Sequence, residues 1–245
     1  MKLSNIFLST LAVLLCCIAC SKDEESFKGK DADASLSIAV KAVGSAVTKG
    51  FHPNDENELA GEAKVNNLSV LVFDESGAQL IGYGWQATNS EGEASILNVP
   101  AMTMRAQIVI VSNTPENSLA GVTSYSDFES KLAQLADLSQ SNLVMSSPVI
   151  TTQAPLVKGD NYLGYASMGS ENINGIAEPV EITRLAARLD LVNVKTDFTK
   201  TLLRNRTVRV EEVTILNQST ASRFFSRDYW GVVMATGHLG TSDAT

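Results

Sequence analysis

Two histidines, three cysteines and several short acidic runs are the side chains from which this 245-residue chain could build a reactive centre. His52 and His238 lie far apart, and no H-E-x-x-H, G-x-S-x-G or phosphate-cradling glycine loop accompanies either. His52 stands near Asp55 and Glu56, but an acidic loop of that kind is usually solvated, so no metal is expected there. Asp160-Asn161 with Glu171-Asn172 fits no EF-hand spacing. No catalytic set is visible, and no cofactor is expected. Its cysteines carry a different chemistry. All three fall at positions 16, 17 and 20, so the rest of the chain has no disulfide framework. The remaining chemical point is Lys49-Gly50, at the start of a polar loop with a protease-accessible look.

The cysteines end a leader. Lys2 gives a positive start, residues 6–19 are mostly apolar, and Cys17-Ile18-Ala19-Cys20 closes the run. This is the pattern of a secretory signal peptide, too short for a membrane span. The small residue before Cys20 and the polar change after it resemble a bacterial lipobox, with Cys17 where Leu is usual. On that reading residues 1–19 are removed and the Cys20 thiol is acylated. Each buried methylene of the lipid then adds about 0.8 kcal/mol of membrane affinity. The competing reading is a plain signal peptide with an incidental Cys20. Ser21-Lys22-Asp23-Glu24-Glu25 resembles a surface-export signal of Bacteroidota lipoproteins; the alternative is a solvated tether over residues 20–33.

Between the leader and the Lys49 loop lies one strand-like stretch. Leu36, Ile38, Val40 and Ala42 fall on one face, and Ser35, Ser37, Ala39 and Lys41 on the other, a period of two. Downstream, residues 65–73 and 78–83 read as a hairpin turning at Asp74-Glu75-Ser76-Gly77. Residues 95–99 and 104–111 read as further strands, the latter apolar enough at its end to be covered on both sides. Ser126 and Glu129 have capping-box spacing, and Phe128, Leu132, Leu135 and Ala136 form a helical stripe, predicting one helix over 127–137. Residues 143–145, 149–152, 161–165, 182–194 and 208–216 return to β patterning. The formal charge of −8 and the lack of a Lys/Arg cluster argue against a nucleic-acid partner. No window after residue 20 holds the ~18 uninterrupted apolar residues of a spanning helix.

Residues 61–73 (GEAKVNNLSVLVF) resemble the opening strand of the N-terminal domain in Bacteroidales major fimbrial subunits of the FimA type. Residues 143–146 (LVMS), 159–165 (GDNYLGY) and 183–189 (TRLAARL) resemble later segments of that domain, in the same order. The resemblance covers residues 34–195 and the lipoprotein leader. It implies an all-β, transthyretin-like β-sandwich with one short helix over 34–195, followed by an incomplete second β domain over 196–245. It also implies a structural, non-enzymatic subunit that reaches the outer membrane as a lipid-anchored precursor and ends in the fimbrium at the cell surface, supporting adhesion. Its partners would be a trypsin-like processing protease and other fimbrial subunits, joined head to tail. In the family the protease cuts after a basic residue in the first loop; here Lys49 stands where Arg is typical. The lipid-bearing strand then leaves, and an extended segment of the next subunit replaces it. Leu36, Ile38, Val40 and Ala42 are the apolar face of the strand that would be exchanged. Two alternatives stay open: an uncleaved fimbrial anchor subunit, and a surface lipoprotein that binds glycan or another ligand without polymerising.

Overall fold

A computed structural model describes residues 32–43, 60–134, 137–166 and 172–186, together with 199–202, 206, 208–213, 219–224 and 232–234. The fold is mostly β with one short helix. In chain order the strands are β1 (Ala34–Val43), β2 (Lys64–Asp74), β3 (Leu80–Glu91), β4 (Glu93–Ala101) and β5 (Ala106–Ser112). Helix α1 (Tyr125–Ser130) follows, then β6 (Leu132–Gln134), β7 (Met145–Ser146), β8 (Ile150–Thr151), β9 (Gly159–Leu163) and β10 (Val180–Arg184). The last two strands are β11 (Ser219–Arg223) and β12 (Val232–Met234).

Nine strands form one sheet along the path β3-β2-β5-β7-β10-β1-β4, with β8 against β5 and β9 against β1. The two ends of this path are consecutive in sequence, joined by a turn at Gly92. They share no ladder among the described residues, yet they pack face to face. A Cβ on Gly82 of β3 would stand 2.7 Å from the Pro100 carbonyl of β4, and one on Gly84 would stand 2.8 Å from Val99. The sheet is therefore curled on itself, and side-chain-free positions let its ends meet.

Period-two alternation sorts the buried residues into two clusters. From β2, Leu68, Val70 and Val72 enter one cluster, while Leu71 and Phe73 enter the other. From β5, Ile108 and Ile110 enter the first, and Val109 and Val111 the second. Both strands are thus covered on both faces, which is why they read as continuous apolar runs. The 74–77 turn forms as its residues dictate: Gly77 takes φ +74° and its N–H donates to the Asp74 carbonyl. Burial works to raise the Asp74 pKa, but donors from Ser76 and the backbone N–H groups of Gln79, Ser76 and Ala78 outweigh it and lower the value.

Three expectations need correction. The helix starts two residues early and stops after Ser130, well short of 137. Its N-cap is Ser124, not Ser126: the Asp127 N–H donates to Ser124 Oγ at 3.1 Å, and the Thr123 N–H donates back to Asp127 Oδ2 at 3.1 Å. Both serines have an acid three residues on; the earlier cap wins because it turns Tyr125 and Phe128 inward. Leu132 belongs to a strand, since residues 132–134 pair with 219–223, a tertiary ladder that overrides local helical spacing. Residues 208–213 form no strand and are exposed; alternation alone does not suffice without a neighbouring edge, and β6 offers its edge to 219–223 instead. Finally, Ser37, placed on the wet face of β1, is buried.

Candidate functional site

β1 fills a slot in the sheet rather than an edge. Its first half pairs in parallel with β9, from Ala34↔Gly159 to Ile38↔Leu163, and its second half with β10, from Val40↔Val180 to Val43↔Thr183. Its other side runs antiparallel to β4, from Ala34↔Ala101 to Lys41↔Glu93. The handover from β9 to β10 falls at Ala39. Gly164 permits it, with φ +83° and a Cβ position only 2.7 Å from the Ala39 carbonyl oxygen. Glycine alone both turns the chain there and lets it pass so close to β1.

The apolar face of β1 is set into the first cluster. Leu36, Ile38 and Val40 are each 0% exposed, and Ala42 packs against the same group from a half-buried position. Each full burial contributes about 1.5–3 kcal/mol. Sequence reasoning found this face and missed the other, because hydroxyls between aliphatics look like solvent contacts until the flanking strands are known. The Ser35 hydroxyl donates to Asp160 Oδ1 at 2.6 Å, and Ser37 Oγ accepts from the Asn98 N–H at 3.2 Å. Asn161, itself buried, donates from Nδ2 to the Ser35 carbonyl at 3.1 Å while its Oδ1 accepts from the Val157 N–H at 2.8 Å. Ahead of the strand, Asp33 Oδ1 accepts from the Thr103 N–H at 2.8 Å. Asp160 and Asn161, whose spacing with Glu171-Asn172 fits no EF-hand, are engaged in holding β1.

The chain on the far side of the first loop is held independently. The Ala60 carbonyl accepts from Gln140 Nε2 at 2.8 Å, and the Glu62 carbonyl from Arg184 Nε at 3.0 Å. The Glu62 carboxylate lies 3.9 Å from Arg184 Nη1, with side chains only 9% and 13% exposed. The Ala63 carbonyl accepts from the Gly92 N–H at 3.0 Å, while the Gly92 carbonyl accepts from the Ala42 N–H at 2.7 Å. Gly92 therefore bridges the end of β1 and the start of β2. Residues 60–63 are thus held by groups outside β1. Cys20, Lys49, Gly50, His52 and Glu171 lie outside the described residues, as does residue 187 onward in the 182–194 stretch.

A concavity of about 420 Å³ lies against the other cluster and is lined by Leu119, Leu132, Ala133, Val144 and Phe224. It has Lys131 and Asp137 on its wall and no group arranged for chemistry.

Residues 34–184 match the family model of the major fimbrial subunit protein FimA, and residues 185–245 that of the C-terminal domain of fimbrium tip subunits like Fim1C. A Parabacteroides distasonis protein assigned as the fimbrium tip subunit Fim1C is 46% identical over 99% of this chain and 64% of its own length. Major fimbrium subunit FimA type-2 of Porphyromonas gingivalis is 27% identical over 92% of this chain and 54% of its own. The chain thus spans less than two thirds of the curated relatives it matches. Among solved structures, a cell adhesion protein from Parabacteroides distasonis superposes with TM-score 0.76 at 45% identity, covering 85% of this chain and 62% of that one. A Porphyromonas gingivalis fimbrilin shares the fold with TM-score 0.58 at 18% identity, covering 80% of this chain and 52% of that one. These relatives are structural fimbrial subunits, not enzymes. With the model spanning more than half of its length, the chain belongs to the major fimbrial subunit (FimA) family.

Proposed function

We propose that this chain is a fimbrial subunit that is exported as a lipoprotein acylated at Cys20, cut after Lys49, and assembled by exchange of β1 for an extended segment of a neighbouring subunit. The observation that carries this reading is the slot: β1 supplies Leu36, Ile38 and Val40 to the core, while residues 60–63 are anchored to Gln140, Arg184 and Gly92 rather than to β1. Loss of β1 exposes an apolar groove bordered by unpaired strand edges on both sides, which recruits another strand. If the replacement comes head to tail from a neighbour, the contact does not close on itself and a filament results. The fimbrium and the cell surface follow as the location, with the outer membrane holding the uncut precursor. We place the first domain at 34 to between 184 and 195, and the start of a second beyond it; the change of family model at 184/185 supports that division. The name of the 46% identical relative favours a position at the fimbrium tip, where a subunit makes one of the two head-to-tail contacts.

The test is limited trypsin treatment of the full chain. The large fragment should begin at Gly50. Lys41 should resist, because its backbone is laddered to Glu93 and Glu181. Cut protein should then take up a peptide with alternate apolar residues, which uncut protein ignores. Cut protein that holds residues 34–43 as firmly as before and takes up no peptide would favour the surface-binding lipoprotein instead.

A further inference from the structure

We infer that the slot selects its occupant through the polar positions between the apolar anchors, above all through a small hydroxyl at the position of Ser37. This rests on the exchange reading above and names the chemistry of the partner segment. The apolar positions cannot by themselves fix a register. Ala34, Leu36, Ile38 and Val40 are all aliphatic and all buried, so a strand displaced by two residues presents the same face to the same core. Something that occurs once along the slot must break that degeneracy.

β4 supplies it. Leu36 pairs with Val99 and Ile38 with Ile96, so Ser37 stands opposite two residues, Leu97 and Asn98. This is a bulge, with Asn98 at φ +55°. Its backbone donors are turned out of the ladder and taken by side chains. The Leu97 N–H donates to Gln86 Oε1 at 3.1 Å from β3, and the Asn98 N–H donates to Ser37 Oγ at 3.2 Å from β1. Of these two bonds, only the second belongs to the strand in the slot. Ser37 is 6% exposed, so the site admits a small side chain and demands an acceptor. A second reader stands two positions away, where Asp160 Oδ1 takes the Ser35 hydroxyl. Asp33, held by the Thr103 N–H, is a third. The partner segment is therefore an extended peptide of the pattern Asp-x-Ser-x-Ser with aliphatic residues at x and at the next alternate positions.

Ser37 is a positioning residue, and its test reads register as well as affinity. The probe is a peptide of residues 33–43, added to full chain cut after Lys49. The Ser37→Ala peptide should bind about tenfold more weakly than the native one, and Ser35→Ala should lose less, because its bond is exposed. Ser37→Thr should restore binding, and the Asn98 amide should exchange with deuterium slowly with the native peptide and quickly with Ser37→Ala. A Ser37→Ala, Ala39→Ser peptide, which moves the hydroxyl by two, should regain Asn98 protection in a register shifted by two residues, without the holds of Asp33 and Ser35. Equal binding and equal Asn98 protection across these peptides would overturn the inference. If no peptide enters, the exchange reading fails, and the uncut chain still decides the rest. There Ser37→Ala should speed exchange at Asn98 and along β1, and Ser37→Thr should not; unchanged exchange in that variant would overturn the inference on its own.

Discussion

The two buried clusters of this sheet are made of different side chains. Among the described residues, the cluster that receives β1 contains only Ala, Val, Leu, Ile and Met, from segments far apart in sequence. The cluster on the opposite face of β2 and β5 holds the buried aromatics: Phe73, Tyr125, Phe128 and Phe224, with Tyr83 at its margin. Phe73 meets Tyr125 edge-on at 5.6 Å, and Phe128 stacks on Phe224 at 6.0 Å. Aromatic contacts of this kind depend on a particular geometry, whereas a row of aliphatic side chains is met equally well by another row. One face of the sheet is thus suited to a single arrangement, and the other is filled by side chains that another aliphatic row matches as well.

The largest expected effect lies on the aromatic side. Phe128 is 0% exposed and touches three other rings, so Phe128→Ala should cost about 3–5 kcal/mol. Urea unfolding should show the same loss before and after a cut at Lys49, since β1 takes no part in that cluster. Ile38→Ala, also at a fully buried position, should cost about 3 kcal/mol in the uncut chain. Once β1 has left, the substitution should have no effect on the remainder. If both variants respond identically to cutting, the two clusters are one cooperative core and the contrast is lost.

A smaller effect separates the slot from its frame. Glu62→Gln removes the charge facing Arg184 but keeps the backbone carbonyl that accepts from Arg184 Nε. It should cost about 1 kcal/mol, and after cutting it should loosen residues 60–63 in hydrogen exchange while leaving α1 unchanged.

How much of this could be read from the residues differs between the two faces. The slot's apolar side was legible because β1 alternates strictly, and so was the two-sided burial of β5, from its unbroken Ile-Val-Ile-Val. On the aromatic side the residues mislead at 132–134, where helical spacing suggests that α1 continues. Nothing local to Leu132–Gln134 announces a ladder with Ser219–Arg223, more than eighty residues on. The bulge at Leu97–Asn98 and the bond to Ser37 were hidden for a related reason. They exist only in the pairing of β1 with β4, and a serine between aliphatics carries no sign of which donor it will meet.

The smallest expected effect is acid sensitivity at the mouth of the slot. Asp33 has its pKa lowered first by its bond with the Thr103 side chain and then by the Thr103 N–H, with Lys158 adding a favourable charge; the slight desolvation opposes these. A carboxyl whose folded pKa is lowered contributes its stabilisation above its unfolded value, about 3.9, and loses it as pH falls through the folded value. Asp74 is shifted in the same direction, but in the β2–β3 turn next to the aromatic cluster. Lowering the pH below about 4 should therefore loosen both places, and substitution should tell them apart. Asp33→Asn should remove the acid-dependent rise in hydrogen exchange at the start of β1 and leave that of residues 74–79 in place. Asp74→Asn should do the reverse. Because Asp33 is fully exposed to solvent, the change should appear as local exchange of Ala34 to Leu36 rather than as a shift in global unfolding. A rise at β1 that persists in Asp33→Asn would place the acid-sensitive hold on the slot in some other group and remove Asp33 from the residues that read its occupant.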